Sequence, residues 1–206
     1  MTITIENLVT SGTFSLDGGT WDVDNNVWII GNDDECMIID SPHDAAAIIK
    51  QVRGRKVLAI LLTHAHNDHI GAAREVAAAV GAPIILNPED LVLWKQVYPD
   101  TDPDRYHGDG DVFEVGGTAL LAIHTPGHSP GSTCFYLESE GTVFTGDTLF
   151  NGGPGATGRS YSDYPTILTS IRERLLILPP ETVVRTGHGD NTTISTEGET
   201  LAKVSQ

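Results

Sequence analysis

The sequence predicts a layered α/β protein, and three observations carry that expectation. Apolar runs of strand length alternate with stretches of helix length along the whole chain. Several of those runs end in a glycine-flanked histidine or aspartate, the grammar of side chains presented from strand ends. The chain of 206 residues is long enough for one domain, 1–206, with a substantial core, and no short repeat or low-complexity segment divides it.

In order along the chain, strands are expected at Ile3–Ile5, Val27–Ile30 and Met37–Asp40, with turns at Asp17-Gly-Gly19 and Gly31-Asn-Asp-Asp34. Asp44–Val52 reads as a helix, with Asp44 near its start and Gly54 ending it. Val57–Leu62 is a continuous apolar run and reads as a buried strand. Ile70–Val80 is an alanine-rich helix closed by Gly81. Pro83–Leu86 is a short strand, and Pro88–Trp94 begins a short helix with proline in its first turn. Tyr98–Asp111, rich in Pro, Asp and Gly, reads as a loop. The second half adds strands at Val112–Val115, Thr118–Thr125, Cys134–Leu137 and Thr142–Thr145, a helix at Tyr164–Leu178 and a strand at Thr182–Arg185.

The strand Val57–Leu62 runs directly into Thr63-His-Ala-His-Asn-Asp-His-Ile-Gly71, which places His64, His66, Asp68 and His69 within six positions. Such a donor set suits zinc or iron. A buried strand end accommodates four such groups cheaply only if something neutralises and coordinates them. A lone histidine is usually a surface or satisfied core residue, but here the pattern is completed downstream. His128 lies in Thr125-Pro-Gly-His-Ser-Pro-Gly131, Asp147 in Thr145-Gly-Asp-Thr148 and His188 in Thr186-Gly-His-Gly189, each after an apolar segment. If the His64–His66 segment stays extended, both imidazoles point to one side with Asp68 in register.

With Asp40 in Met37-Ile-Ile-Asp-Ser-Pro42, these motifs resemble those of the metallo-β-lactamase superfamily, and within it the glyoxalase II-like thioester hydrolases. The resemblance covers nearly the whole chain. It implies a four-layer αββα sandwich, two packed β-sheets with helices outside and metals at one edge. It also implies two divalent metal ions, zinc in the first place and iron as the alternative. On that pattern His64, His66 and His128 hold one metal, Asp68, His69 and His188 hold the other, and Asp147 bridges them. Asp68 and Asp147 are then the catalytic carboxylates, and Asp40 orients the histidine loop from behind.

The chemistry so implied is hydrolysis of a carbonyl compound by metal-activated water, the substrate being a small-molecule thioester of an acyl- or hydroxyacyl-thiol type. A carboxylate at 147 is typical of glyoxalase II, lactonase and RNA-processing relatives, whereas β-lactam-hydrolysing members typically carry cysteine there or lack the bridge. Glyoxalase II proper grips glutathione with a C-terminal helical domain, and only 18 residues follow His188, which leaves the thiol open between glutathione, mycothiol and bacillithiol. Rival readings are a lactone or ester hydrolase and a persulfide dioxygenase with one iron on His64, His128 and Asp147. A non-catalytic metal-stabilised binding protein ranks last, because no ligand of the set is missing.

Other residues take quieter readings. His124 either supports His128 or simply packs, His43 either lines the site or, the preferred reading, lies on the surface at a helix start, and His107 is expected to be exposed. Gly153-Pro-Gly-Ala-Thr-Gly-Arg-Ser160 nearly matches a phosphate-binding loop, but Arg159 replaces the lysine and Pro154 stiffens the turn, so nucleotide binding is not expected. In the resembling thioesterases the corresponding loop carries Gly-Arg-Ser/Thr-Asp-Phe beside the site. Arg159 and Tyr161 are therefore candidates for substrate contact, with pairing of Arg159 to a local carboxylate the equal alternative.

Twelve Lys and Arg against 28 Asp and Glu give a net charge of −16. That field disfavours nucleic acid and polyanionic substrates and leaves a small molecule as the expected partner. Cys36 and Cys134 lie in apolar runs and read as core residues, not a disulfide. Met1-Thr-Ile-Thr-Ile-Glu6 carries no secretion signal and no run has the length of a membrane helix, so a cytoplasmic protein without membrane association is expected.

Overall fold

A long hairpin opens the chain. The computed structural model describes residues 2–204. Strands β1 (Thr4–Leu16) and β2 (Gly19–Gly31) pair antiparallel without a break, from Thr4 opposite Gly31 to Leu16 opposite Gly19. Asp17 (φ 53°) and Gly18 (φ 77°) make the two-residue turn, both in the left-handed region that a type I′ turn demands. The sequence signals only the base of this hairpin, because its outer half alternates exposed and half-buried residues and packs on no continuous core.

β3 (Glu35–Ile39), β4 (Lys56–Leu61), β5 (Ile84–Leu86) and β6 (Arg105–Tyr106) complete the first sheet in the order β1-β2-β3-β4-β5-β6. Its pairs from β3 to β6 are parallel. β6 falls inside the segment expected to be loop. The second sheet holds β7 (Val112–Val115), β8 (Thr118–His124), β9 (Thr133–Leu137) and β10 (Thr142–Gly146). After a small hairpin, β11 (Leu149–Phe150) with β12 (Gly153–Pro154), it adds β13 (Val183–Thr186) and β14 (Thr192–Thr193). Only β10 and β13 run parallel within it.

Period-two side-chain alternation turns these sheets into layers. Val27 and Ile29 face helices α1 (Ala45–Val52), α3 (Ala73–Val80) and α4 (Leu91–Val97), joining Ile48, Val76 and Trp94 in the first outer core. Trp28 and Ile30 face the other way and meet Leu120, Phe135 and Phe144 of the second sheet. The far side of that sheet, through Cys134, Val143 and Val184, packs on α5 (Tyr164–Ser170) and α6 (Ile194–Val204). The result is the expected αββα sandwich. Burial of each large aliphatic side chain contributes about 1.5–3 kcal/mol, so the sheet–sheet core is the main support for the edge described below.

Two expected helices are interrupted. The predicted Ile70–Val80 helix is α2 (Asn67–Ile70) followed by α3, because the Ser41 backbone inserts between them. The Ser41 amide donates to His69 O and its carbonyl accepts from Ala72 N, both at 2.9 Å. The predicted Tyr164–Leu178 helix is α5, capped by Asp163, and then widens to π turns over Ile171–Leu175. Both cysteines are buried and free. Among the described residues no helix is long and apolar enough to cross a membrane.

Candidate metal centre

Five strands of the two sheets end at one edge of the sandwich, and each carries a polar residue there. Asp40 follows β3, the His64–His69 segment follows β4, His128 follows β8, Asp147 follows β10 and His188 follows β13. Parallel pairing of β10 with β13, continued by Gly187 N donating to Gly146 O at 2.9 Å, sets Asp147 beside His188. The sheets are stitched at this edge by Thr133 N to Thr63 O and Asn26 N to Gly187 O, each 2.8 Å.

Two donor clusters result. In the first, His66 Nδ1 lies 3.0 Å from both His64 Nε2 and His128 Nε2. In the second, His188 Nε2 lies 3.3 Å from both Asp68 Oδ2 and His69 Nε2. Asp147 stands between them: Oδ1 is 3.3 Å from His69 Nε2, while Oδ2 is 3.5 Å from His128 Nε2 and 3.4 Å from His188 Nε2.

The far side of four imidazoles is already committed. His69 Nδ1 donates to Asp40 Oδ2 and His128 Nδ1 donates to Ala156 O, both at 2.8 Å. His188 Nδ1 donates to Asp24 O at 2.7 Å, and His64 Nδ1 to the Thr63 hydroxyl at 3.1 Å. Each therefore turns its Nε2 inward. In the first cluster a single proton on His66 Nδ1 serves at most one of its two 3.0 Å contacts. Asp68 Oδ1 is also buried with no hydrogen-bond partner. Unpaired buried acceptors are costly, and a cation at each cluster satisfies them. Donors about 2.0–2.1 Å from one zinc are about 3.3 Å apart at tetrahedral angles, close to the separations seen. The residues fit the implied metals.

Electrostatics separates the two clusters. Burial, reinforced by neighbouring imidazoles, drives His64 well below the usual histidine value and His66 to about 3, so both are neutral ligands. Burial acts in the same sense on His69 and His188, but carboxylates outweigh it. Asp147, Asp68 and Asp40 raise His69 well above the usual value, and Asp147 with Asp68 raises His188 to about 10. Cations entering the second cluster would take the place of those protons.

Several residues that brace the centre carry no sequence signal of their own. Asp90, fully buried, accepts from Ala65 N and the Ser129 hydroxyl at 2.8 Å and from Gly131 N at 2.5 Å, tying the His64–His69 segment to the His128 loop. Burial raises its carboxyl pKa, against the pull of those three donors. Asn25 donates to Asp68 Oδ2 at 3.1 Å and accepts from His43 Nε2 at 2.8 Å. His43 is thus half-buried behind the second cluster, closer to the alternative reading beside the site than to the preferred surface place. The expectation for His107 also fails. It is only 3% exposed, packed on Phe113 and Phe135 with neither ring nitrogen hydrogen-bonded, because β6 carries its segment under the second sheet. His124 braces the His128 loop by donating to Pro130 O at 2.8 Å.

The centre opens into a pocket of about 370 Å³ whose walls include Phe14, Val23, Phe150 and Arg159. Tyr161 is 47% exposed, has a left-handed backbone (φ 68°) and is not among the residues lining the pocket. Gly153 pairs in β12 and α5 begins only at Tyr164, so the glycine-rich stretch does not lead into a helix as a phosphate loop does.

Residues 20–188 match the family model of the metallo-β-lactamase superfamily. The chain belongs to that superfamily. The superfamily is metal-dependent, in accord with the His and Asp clusters found here. The chain is 35% identical over 182 residues to the hydroxyacylglutathione hydrolase GloC of Haemophilus influenzae, covering 80% of this chain and 86% of that one. The crystal structure of BLEG-1 B3 metallo-β-lactamase superposes with a TM-score of 0.79 at 31% identity, over 92% of this chain and 97% of that one. TTHA1623, solved in a di-iron-bound form, gives 0.75 at 31% identity, over 93% and 98%.

Proposed function

We propose that this superfamily member is a dinuclear metal-dependent hydrolase of a small-molecule thioester. The observation that carries the reading is the pair of complete donor clusters, joined by Asp147, on the floor of a pocket sized for a metabolite. Likeness to a hydroxyacylglutathione hydrolase supports the thioester class, and a di-iron relative supports two metals per chain.

His64, His66 and His128 would hold one divalent cation, Asp68, His69 and His188 the other, with Asp147 shared. Bound there, the cations supply a nucleophilic water at neutral pH and polarise the substrate carbonyl. The chain's own groups do the rest. Asn25 orients the Asp68 carboxylate by donating to its Oδ2, and that carboxylate would take the proton given up by the attacking water. Phe14, Val23 and Phe150 wall the pocket with apolar surface and limit bulk water around the reacting carbonyl.

The likeness to BLEG-1 favours a β-lactam as the second candidate substrate. Assaying a panel of acyl- and hydroxyacyl-thioesters, simple lactones and a β-lactam on one preparation decides between them, with metal content measured on protein purified without added metal. Two metals per chain and thioester turnover in excess of the others by orders of magnitude is the expected result. Faster β-lactam or lactone turnover replaces the substrate class, and one iron with persulfide-dependent oxygen uptake replaces the reaction.

A further inference from the structure

We propose that Arg159, presented by the aromatic pair Phe14 and Trp21 at the hairpin tip, reads a carboxylate on the substrate and so restricts the enzyme to anionic thioesters. This rests on the hydrolase reading above and names its substrate class.

Phe14 and Trp21 are directly opposed across the β1–β2 hairpin, with rings stacked at 5.7 Å. Arg159 lies over them, its Cζ 4.1 Å from the Trp21 ring centre and 5.2 Å from that of Phe14. A guanidinium held over aromatic rings in this way spends none of its N–H donors on a hydrogen-bond acceptor. Those donors are unused: among the described residues the side chain meets no carboxylate or carbonyl at hydrogen-bond distance. The nearby Asp17 carboxylate is occupied instead by the Ser160 amide at 2.9 Å, which pins the Arg159 loop to the hairpin turn.

The cation also belongs to the pocket. Among the described residues Arg159 is the only Lys or Arg lining it, together with His66, His128 and Asp147. Phe14 also packs against His66, the ring centres 5.1 Å apart and the planes tilted by 57°, so the guanidinium is within about 10 Å of a metal-ligand ring, the span of about three extended residues. In a chain of net charge −16, a hydrogen-bond-free cation facing a small pocket is a selective feature. Its fork matches a carboxylate. Trp21, 42% exposed at the lip, is a positioning residue.

The test uses two isosteric pairs of thioesters. One pair differs by carboxylate against primary amide on the thiol arm (S-acetyl-N-acetylcysteine and its carboxamide). The other differs in the same way on the acyl arm (succinyl against succinamoyl). In at least one pair the metal-loaded wild type should prefer the carboxylate by roughly 10- to 100-fold in kcat/KM, the range of a charged hydrogen bond. Arg159→Gln and Arg159→Ala should bring that ratio to about one with metal content unchanged, acting mainly on KM. Trp21→Ala should reduce the ratio partly, and Trp21→Phe should restore most of it. The corresponding non-hydrolysable thioethers, titrated calorimetrically, read the same preference as affinity whether or not any thioester turns over. No hydrolysis with an Arg159-dependent carboxylate preference in binding sinks the thioesterase reading and keeps this one. Ratios near one in both wild-type pairs, or a preference that survives Arg159→Gln, overturn it.

Discussion

Asp40 Oδ2 lies 2.8 Å from His69 Nδ1 and 2.8 Å from the Thr63 hydroxyl, which in turn accepts from His64. One carboxylate at the end of β3 therefore orients a histidine of each donor cluster, while its Oδ1 accepts the Thr63 amide. The backbone of Asp40 adopts φ 61° to do this, a conformation that aspartate tolerates better than most residues. Asp40→Ala should weaken metal binding by roughly 10- to 100-fold, the usual loss when the partner of a ligating histidine is removed. Competition against a chromophoric chelator measures it, and an unchanged affinity would remove Asp40 from the orienting role.

Gly187→Ala tests the bridge without touching a ligand. A Cβ there would sit 2.3 Å from Asp147 Oδ1 and 2.8 Å from His69 Cε1. The backbone dihedrals of Gly187 are not in the left-handed region, so the conflict is chiefly with those two side chains, the Gly146 carbonyl carbon following at 3.1 Å. Far-UV circular dichroism should be preserved while turnover falls about 100-fold, the scale expected of a 1 Å misplacement. Wild-type kcat with full metal content would show that Asp147 need not stand where it does.

Asp90→Ala should destabilise the protein by about 3 kcal/mol, since it strands the buried donors of Ala65, Ser129 and Gly131. Chemical denaturation of the metal-free protein isolates this effect from ligand loss. A change under about 0.5 kcal/mol, the range of ordinary surface substitutions, would mean that the two loops hold their places without it.

His107 predicts a pH dependence. Burial lowers its pKa from the ordinary 6.5, with the Gly108 backbone opposing, so the folded protein holds it neutral. The unfolded chain takes up this proton first as pH falls. The stabilising contribution is therefore fully present above pH 6.5 and shrinks below it. His107→Leu should lose less stability than wild type between pH 7.5 and about pH 5, compared by denaturant midpoints in metal-free protein. Parallel losses in the two proteins would show that His107 does not titrate on unfolding.

The donor set and most of the strands were legible because their signals are local. Each ligand follows an apolar run and sits beside glycine within a few residues, and burying such donors demands a partner wherever the chain goes. The hairpin was half legible, since β-strands that project from the core carry no apolar run to announce them. Asp90 sits in an ordinary helix start, Asn87-Pro-Glu-Asp90, and nothing nearby shows that it reaches Gly131, 41 residues on. Asn25 is equally silent, and His43 is signalled only by following Asp40.

The sequence by itself determined a layered α/β protein and the seven side chains able to hold metal, because donor chemistry and hydrophobic period are properties of short segments, and the resemblance of those motifs to the metallo-β-lactamase superfamily implied the αββα order. Tertiary structure alone decided how they are used. It set Asp147 beside His188 through parallel pairing of β10 with β13, drew His107 into the core, and laid Arg159 on Trp21, 138 positions earlier in the chain. Those relations arise where two sheets stack and a hairpin folds over their edge, and contacts so distant in sequence leave no periodic or local trace in it.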